Sequence, residues 1–395
     1  MGKASDPDET EAPSVAEAIA TNASPRSMVP PLPTPRDLLP HIPIGHPDSM
    51  MSKESVRKAV EDFRTRPTDV IVATFPKTGT TLVTWICHLL RTNAAPIDES
   101  GSENSDTENS FETLYEVVPW PTLSWDIGYD PNVQGSQFEP RVFKSHLRMA
   151  SIYPGCRYVV TIRDPAKTTL SFYNFFLAKK VPFLVDESSD DERKNGEQSS
   201  NLKLKMDVST FLVDTPFIKG SPKTPTSNLR ASMWDYYAEY HALLECPSVL
   251  ILVYEDFLSD MHSQIHRLSK FIGTTTTDGN SGGLGEKESG CRRTQLDNNL
   301  IDEVAAMSTK DYMAGRMSKF DEPYERAKAL NRAADISQLA PGAKIAVQTH
   351  PQKLDATATQ FLEDQWRMHM EEPLGYGDYE AFAAAVRERN QRLFG

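Results

Sequence analysis

Short, wholly apolar runs alternate along this chain with stretches whose apolar residues recur every three to four positions. Asp69–Phe75 (DVIVATF) is an apolar run of strand length. Gly79–Arg91 then places Leu82, Trp85, Ile86, Leu89 and Leu90 on one face of a helix. Arg141–His146 (RVFKSH) and Arg157–Ile162 (RYVVTI) read as two further strands. The second is followed by Asp164 and Pro165, a capping residue and a first-turn proline that open a helix. Met233, Tyr236, Tyr237, Tyr240 and Leu244 form a helical stripe, Val249–Tyr254 (VLILVY) a strand, and Leu258–Ile272 an amphipathic helix. Residues 291–395 read as mostly helical, less regular around Ile336–Gln352. Strands that are apolar at every position are covered on both faces. The predicted fold is therefore α/β, a three-layer sandwich whose central parallel sheet is flanked by helices. Ligands of such sheets bind outside the carboxyl ends of the strands, and the polar residues of interest fall there.

Composition changes this picture at three places. Residues 1–50 include ten of the 28 prolines and carry seven acids against three bases, a composition that cannot bury enough apolar surface to offset chain entropy. They are expected to be a disordered tail, with one folded domain over residues 51–395. Two low-complexity stretches, 184–204 and 273–290, read as mobile insertions in that domain. Residues 92–112 carry six acids and no base, and 186–197 six acids against two bases. These two stretches and the tail hold a net fourteen negative charges, while the whole chain has a net charge of −13. The acidity thus belongs to loops and tail, which argues against a nucleic-acid partner and leaves room for an anionic small ligand held by a local positive cluster. Cys87, Cys156, Cys246 and Cys291 lie far apart with no metal-type spacing, as expected of thiols in a reducing compartment. No apolar run approaches the ~18 residues that span a bilayer. There is no hydrophobic signal core, and Asp6 breaks the match to a myristoylation signal. The expected location is the cytosol, without a membrane partner.

The chemistry concentrates after the first strand. Thr74-Phe75-Pro76-Lys77-Thr78-Gly79-Thr80-Thr81 joins strand to helix in a P-loop-like arrangement. A turn at Gly79 leaves backbone N–H groups at the helix start, Lys77 adds a positive charge, and Thr80 and Thr81 add hydroxyls, so that together they form a phosphate cradle. Taken alone, the same string also fits a plain βα turn with a solvated lysine; the flanking strand and helix favour phosphate. An ATP-type P-loop sets its lysine after the second glycine of GxxxxGK[ST]. Here Lys77 precedes Gly79, which disfavours a nucleotide kinase.

Four ordered blocks resemble the cytosolic-type sulfotransferases, which use 3'-phosphoadenosine-5'-phosphosulfate (PAPS). Phe75–Thr81 resembles their 5'-phosphosulfate loop, and Lys144-Ser145-His146-Leu147 resembles the segment with their catalytic histidine. Tyr158–Pro165, continuing to Ser171-Phe172-Tyr173, resembles their 3'-phosphate segment, and Tyr254-Glu255-Asp256 the end of a later strand. The similarity covers roughly residues 55–370. It implies transfer of the PAPS sulfuryl group to a hydroxyl or amine of a small acceptor, with His146 as general base. Lys77 would stabilise the leaving phosphate and Lys144 the transferring sulfuryl oxygens. It also implies cofactor contacts from Lys77, Thr78, Gly79, Thr80, Thr81, Arg163 and Ser171, with no metal. Arg163 suits a forked pair of bonds to the 3'-phosphate; its plain alternative is a surface salt bridge with Asp164 or another loop acid. Tyr254 either contacts the cofactor or packs as the last residue of its strand. Phe175 falls where the family places a substrate-pocket aromatic, although core packing is commoner for such a residue.

The resemblance has gaps. Leu82 replaces the usual tryptophan after the threonine pair. The family's adenine contact maps near Ser308-Thr309-Lys310, which lacks an aromatic. The C-terminal R-K-G-x-x-G block is absent: Ala346 stands where an arginine is expected, with Lys344 nearby to compensate. The dimerisation motif of the animal enzymes is not found, and the sequence leaves the oligomeric state open. A catalytically degenerate binding protein on the same fold is thus the first alternative, and a P-loop kinase the second.

Overall fold

The structure, a computed structural model, describes residues 33–44, 51–95, 111–178, 183–184, 204–220, 231–273, 298–320 and 352–395. Its centre is a parallel sheet of four strands among the described residues: β1 (Val70–Ala73), β2 (Val142–Ser145), β3 (Arg157–Ile162) and β4 (Val249–Val253), in the spatial order β2-β1-β3-β4. Val72 pairs with Lys144 on one side and Val159 on the other, and Ile162 pairs with Val253. Every residue of β1, β2 and β4 is buried, which is why β1 and β4 read as unbroken apolar runs rather than alternating ones, while β2 buries Lys144 and Ser145 as well.

The two faces of the sheet feed two separate cores. Ile71, Ala73, Phe143, Val160 and Ile251 face the first, with α1 (Lys53–Glu61), α3 (Pro165–Ala178), α4 (Met233–Ala242), α8 (Ala356–Trp366) and α9 (Tyr379–Phe394). Val70, Val72, Val142, Val159 and Leu250 face the second, with α2 (Thr80–Arg91), α6 (Met261–Ile272) and α7 (Asn298–Met307). Helix, sheet and helix make the three layers expected. The chain leaves β1 through α2 on one face and β3 through α3 on the other, so the crevice outside the carboxyl ends of β1 and β3 is the topological switch point, where open α/β sheets take their ligands.

Three local expectations change. Val249–Tyr254 ends as a strand at Val253, and Tyr254 is the first residue of a helix, α5 (Tyr254–Ser259). It is therefore not the last residue of its strand. The helix expected over Leu258–Ile272 is two helices, because Asp260 takes a non-helical backbone between them and its carboxylate caps α6 by accepting from the Ser263 N–H at 3.1 Å. Within the segment read as a tail, residues 33–44 lie against the body. Pro35 is buried in a short helix, the Ile42 N–H bonds the Ala150 carbonyl at 2.9 Å, and the Ser248 hydroxyl bonds that of Pro33 at 2.9 Å. The rest of that segment, and nearly all of the two expected insertions, lie outside the described residues.

Candidate active site

The β1–α2 turn is built from strained positions that its sequence and neighbours support. Lys77 has φ 69°, a left-handed conformation unusual for a side-chain-bearing residue, and Gly79 has φ 113°. A Cβ at Gly79 would lie 2.6 Å from the Tyr254 ring, so glycine is required for space as well as for conformation. Two threonines tie the turn down from within. The buried Thr78 hydroxyl bonds the Phe75 carbonyl at 2.7 Å and shares a hydrogen bond with the Thr161 hydroxyl of β3 at 2.7 Å. The Thr80 hydroxyl meets that of Thr74 at 2.5 Å. These two side chains shape the loop that leads into α2, and the start of a helix, with its first-turn N–H groups, suits an anion. The Lys77 ammonium lies 4.2 Å from the centre of the half-buried Phe175 ring.

Arg163 follows β3 and reaches across the switch point. Its Nη1 donates to the Lys77 carbonyl at 2.7 Å, and its guanidinium lies 4.2 Å from the Tyr254 ring centre. It forms no ion pair with Asp164; the Asp164 carboxylate instead caps α3 by accepting from the Lys167 N–H at 2.8 Å. The Arg163 Nε is buried and has no hydrogen-bond partner among the described residues. A buried, unpartnered donor on a permanently charged group costs free energy, and it fits a site that awaits an anion. The glycine turn, the helix start and this donor therefore suit a bis-anionic nucleotide. Tyr254 serves both halves, covering Gly79 with one edge and supporting Arg163 from its face.

Beside this lies the β2 end. The Lys144 ammonium is buried; it donates to the Tyr115 hydroxyl at 2.7 Å and sits 3.9 Å from the Trp120 ring centre. Lys144 and Thr81 line one small pocket with Tyr115 and Phe320. His146 is half-buried, edge-on to Trp120 with ring centres 5.1 Å apart. Its Nδ1 lies 2.9 Å from the Thr74 carbonyl. A carbonyl only accepts, so Nδ1 carries the proton and Nε2 is the basic end of the neutral ring.

Lys77, Thr78, Gly79, Thr80, Thr81, Lys144, His146, Arg163, Tyr254 and Phe175 are thus gathered at the carboxyl edge of the sheet. Ser171 is half-buried on α3, with no side-chain hydrogen bond among the described residues. Ser308, just past α7, is 2% exposed and its hydroxyl has no partner among the described residues. Leu82 is partly buried on the second core, and Trp85 is fully buried, its Nε1 donating to the Met307 carbonyl at 2.9 Å. Neither presents an open stacking face. Lys344 and Ala346 lie outside the described residues.

Sequence reasoning misses the groups around these side chains. Tyr115 and Trp120 come from the loop-rich stretch before β2, where no periodicity flags them. Tyr236 and Tyr237 are legible only as part of an apolar stripe. Yet the Tyr236 hydroxyl donates to the His146 carbonyl at 2.6 Å, and the Arg163 N–H donates to the Tyr237 hydroxyl at 2.8 Å. Two adjacent tyrosines in a fully buried stripe, each needing a hydrogen-bond partner, are the available signal.

The model of the sulfotransferase domain matches residues 67–321, more than half of the chain. The chain belongs to the sulfotransferase domain family. Among its relatives is cytosolic sulfotransferase 1 of Danio rerio, 23% identical over 66% of this chain and 76% of that protein. Another is cytosolic sulfotransferase 5 of Arabidopsis thaliana, 24% identical over 57% of this chain and 62% of that protein. The chain therefore spans less than two thirds of the plant protein's length. Among solved structures, the mouse sulfotransferase SULT7A1 complexed with PAP is 12% identical, with a TM-score of 0.48, covering 86% of this chain and 95% of that one. In this chain no described helix is long and apolar enough to cross a membrane, and no cluster of metal-ligating side chains occurs among the described residues.

Proposed function

We propose that the protein transfers the sulfuryl group of PAPS to a hydroxyl, or an amine, of a small apolar acceptor, with His146 as the general base. The observation that carries this reading is the reach of the Arg163 guanidinium across the switch point to the turn that bears Lys77, where it bonds the Lys77 main-chain carbonyl at 2.7 Å. The β1–α2 turn and Lys77 would hold the 5'-phosphosulfate, and Arg163, with its unpartnered Nε, the 3'-phosphate. Thr78, Gly79, Thr80 and Thr81 form the turn, and Ser171, Tyr254, Ser308 and Lys344 remain assigned to the nucleotide by family resemblance.

Sulfuryl transfer, like phosphoryl transfer, passes a charged group in line between two oxygens, so positioning and electrostatics do most of the work. The Lys144 ammonium, buried among Tyr115 and Trp120, is held where water screens it little; facing the transferring oxygens, it would stabilise their charge. His146 Nε2, kept basic by the Nδ1–H bond to Thr74, would take the acceptor's proton as its oxygen attacks. Phe175, with Phe176, Phe183 and Phe217 beyond it in one ring cluster, supports an apolar acceptor. The three described cysteines are free and buried; with the cytosolic sulfotransferases among the relatives, this supports a cytosolic location.

His146→Ala is the test. Labelled PAPS with a panel of phenols, alcohols and sterols should show transfer falling about 10²–10⁴-fold, while calorimetry shows 3'-phosphoadenosine-5'-phosphate (PAP) still binding. Retained turnover would remove His146 as the base. Failure of the wild-type protein to bind PAP would favour a degenerate binding protein, and Mg²⁺-dependent ATP turnover a kinase.

A further inference from the structure

We propose that α4 is the positioning element of this site, its adjacent Tyr236 and Tyr237 separately fixing the base and the nucleotide-binding arginine. This rests on the roles given above to His146 and Arg163. Residues adjacent on a helix point about 100° apart, so these two side chains reach different strand ends from one backbone. Tyr236 donates to the His146 carbonyl at 2.6 Å, just past the end of β2. Tyr237 reaches past the end of β3: its hydroxyl accepts the Arg163 N–H at 2.8 Å and donates to the Arg163 carbonyl. One hydroxyl thus closes both main-chain groups of the residue that carries the guanidinium.

Those main-chain groups lie where the ladder has run out. Pairing of β3 with β4 ends at Ile162 and Val253, and pairing of β1 with β2 at Ala73 and Ser145. His146 and Arg163 therefore need their backbones held by something other than the sheet, because small shifts there are magnified along a side chain. The next residue is held too. The Asp164 N–H bonds Glu255 at 3.1 Å, and the other Glu255 oxygen accepts from the Tyr379 hydroxyl of α9 at 2.5 Å. Tyr379 lies beyond residues 67–321, so a helix outside the family match supports the same turn.

Packing alone does not call for these hydroxyls. Tyr236 and Tyr237 are 1% and 0% exposed, with Tyr236 edge-on to Phe75 at 5.2 Å and Tyr237 beside Phe382. Phenylalanine would fill the same space. Burial raises both phenols well above their ordinary range, so they stay protonated and able to donate at any working pH.

The experiment compares Tyr236→Phe with Tyr237→Phe, each removing one hydroxyl. Losing a buried bond of this kind corresponds to about tenfold in whichever parameter it supports. Tyr236→Phe should lower kcat about tenfold with the PAP Kd within about twofold of wild type. Tyr237→Phe should raise the PAP Kd about tenfold, with the rate at saturating PAPS falling less than the affinity. A purely structural role would move both variants alike, or lower Tm without splitting kcat from Kd, and either result overturns the proposal. Should Tyr237→Phe not fold, Glu255→Gln, which loosens the same turn from the Asp164 side, is read on the same Kd axis. His146→Ala and Arg163→Ala are run alongside. If Arg163→Ala keeps wild-type PAP affinity, the role given to Arg163 and this proposal fall together. If it loses PAP while Tyr237→Phe does not, only the positioning role falls.

Discussion

Two arginines flank the same parallel sheet at opposite ends and are treated in opposite ways. Arg141, at the amino end of β2, is 2% exposed and grips the fully buried Asp69 through Nε at 2.9 Å and Nη2 at 2.6 Å. Its remaining donors reach the carbonyls of Asn132 at 3.1 Å and Arg64 at 3.0 Å. Arg163, past the carboxyl end of β3, has one carbonyl, an aromatic face and a buried Nε without a partner among the described residues. The guanidinium is chemically the same in both. What differs is whether the fold itself supplies the counter-anion. Where it does, the arginine is part of the framework; where it does not, the function proposed above gives the arginine an anion from outside.

The largest effect expected from this contrast is on stability at the amino end. Arg141→Met leaves Asp69 buried without its cation, and breaking a buried pair by removing one partner costs about 3–5 kcal/mol. Urea denaturation should show that loss, with PAP affinity of the folded fraction unchanged. Adding Asp69→Leu should restore part of it, since two apolar residues leave no orphaned charge. A loss below about 1 kcal/mol would place Arg141 with exposed ion pairs rather than with the framework.

Next comes the carboxyl end, with the consequences reversed. Arg163→Ala removes charge-assisted bonds of about 1.5–3 kcal/mol to a bound phosphate, which is roughly 10–100-fold in PAP affinity. The unfolding midpoint should shift little, because no carboxylate among the described residues loses a partner. Calorimetry against denaturation on one sample checks both halves. Destabilisation comparable to that of Arg141→Met would erase the distinction between the two arginines.

Much of the contrast is legible in the amino-acid order alone. The strands show as apolar runs, with Arg157–Ile162 matching at both ends, and the chemistry-bearing residues follow them closely enough to be assigned to one edge of the sheet. The partners are not legible. Asp69 and Arg141 are 72 residues apart, and only the register of β1 with β2 brings them together. A buried stripe such as Met233–Tyr240 looks the same whether its hydroxyls merely pack or hold a strand end. The break at Asp260 is hidden because its flanks continue one amphipathic pattern, and only the aspartate's preference for capping interrupts it. Sequence shows which residues have chemistry to offer, but who satisfies whom is decided by contacts between distant segments.

The smallest expected effect concerns a third arginine, which sharpens the rule. Arg148, two residues past His146, pairs with Glu239 of α4 at 2.6 Å, and Glu239 also accepts the Ala150 N–H at 3.3 Å. Here the fold supplies the anion, yet burial outweighs the arginine's attraction and holds the Glu239 carboxyl above its ordinary value of 4.5. The folded protein therefore binds this proton more tightly than the unfolded chain does. Glu239 contributes its full share to stability at acid pH and loses part of it as pH rises above about 4.5 toward the raised folded value. Glu239→Gln keeps the shape and an acceptor for Ala150 but cannot titrate. Denaturation of both proteins at several pH values from acid to neutral should show the wild type losing ground to the variant as pH rises. The opposite slope would mean that the Arg148 pair overcomes its burial, placing Arg148 with Arg141 as framework and leaving Arg163 as the one arginine of the three whose counter-anion the described residues do not supply.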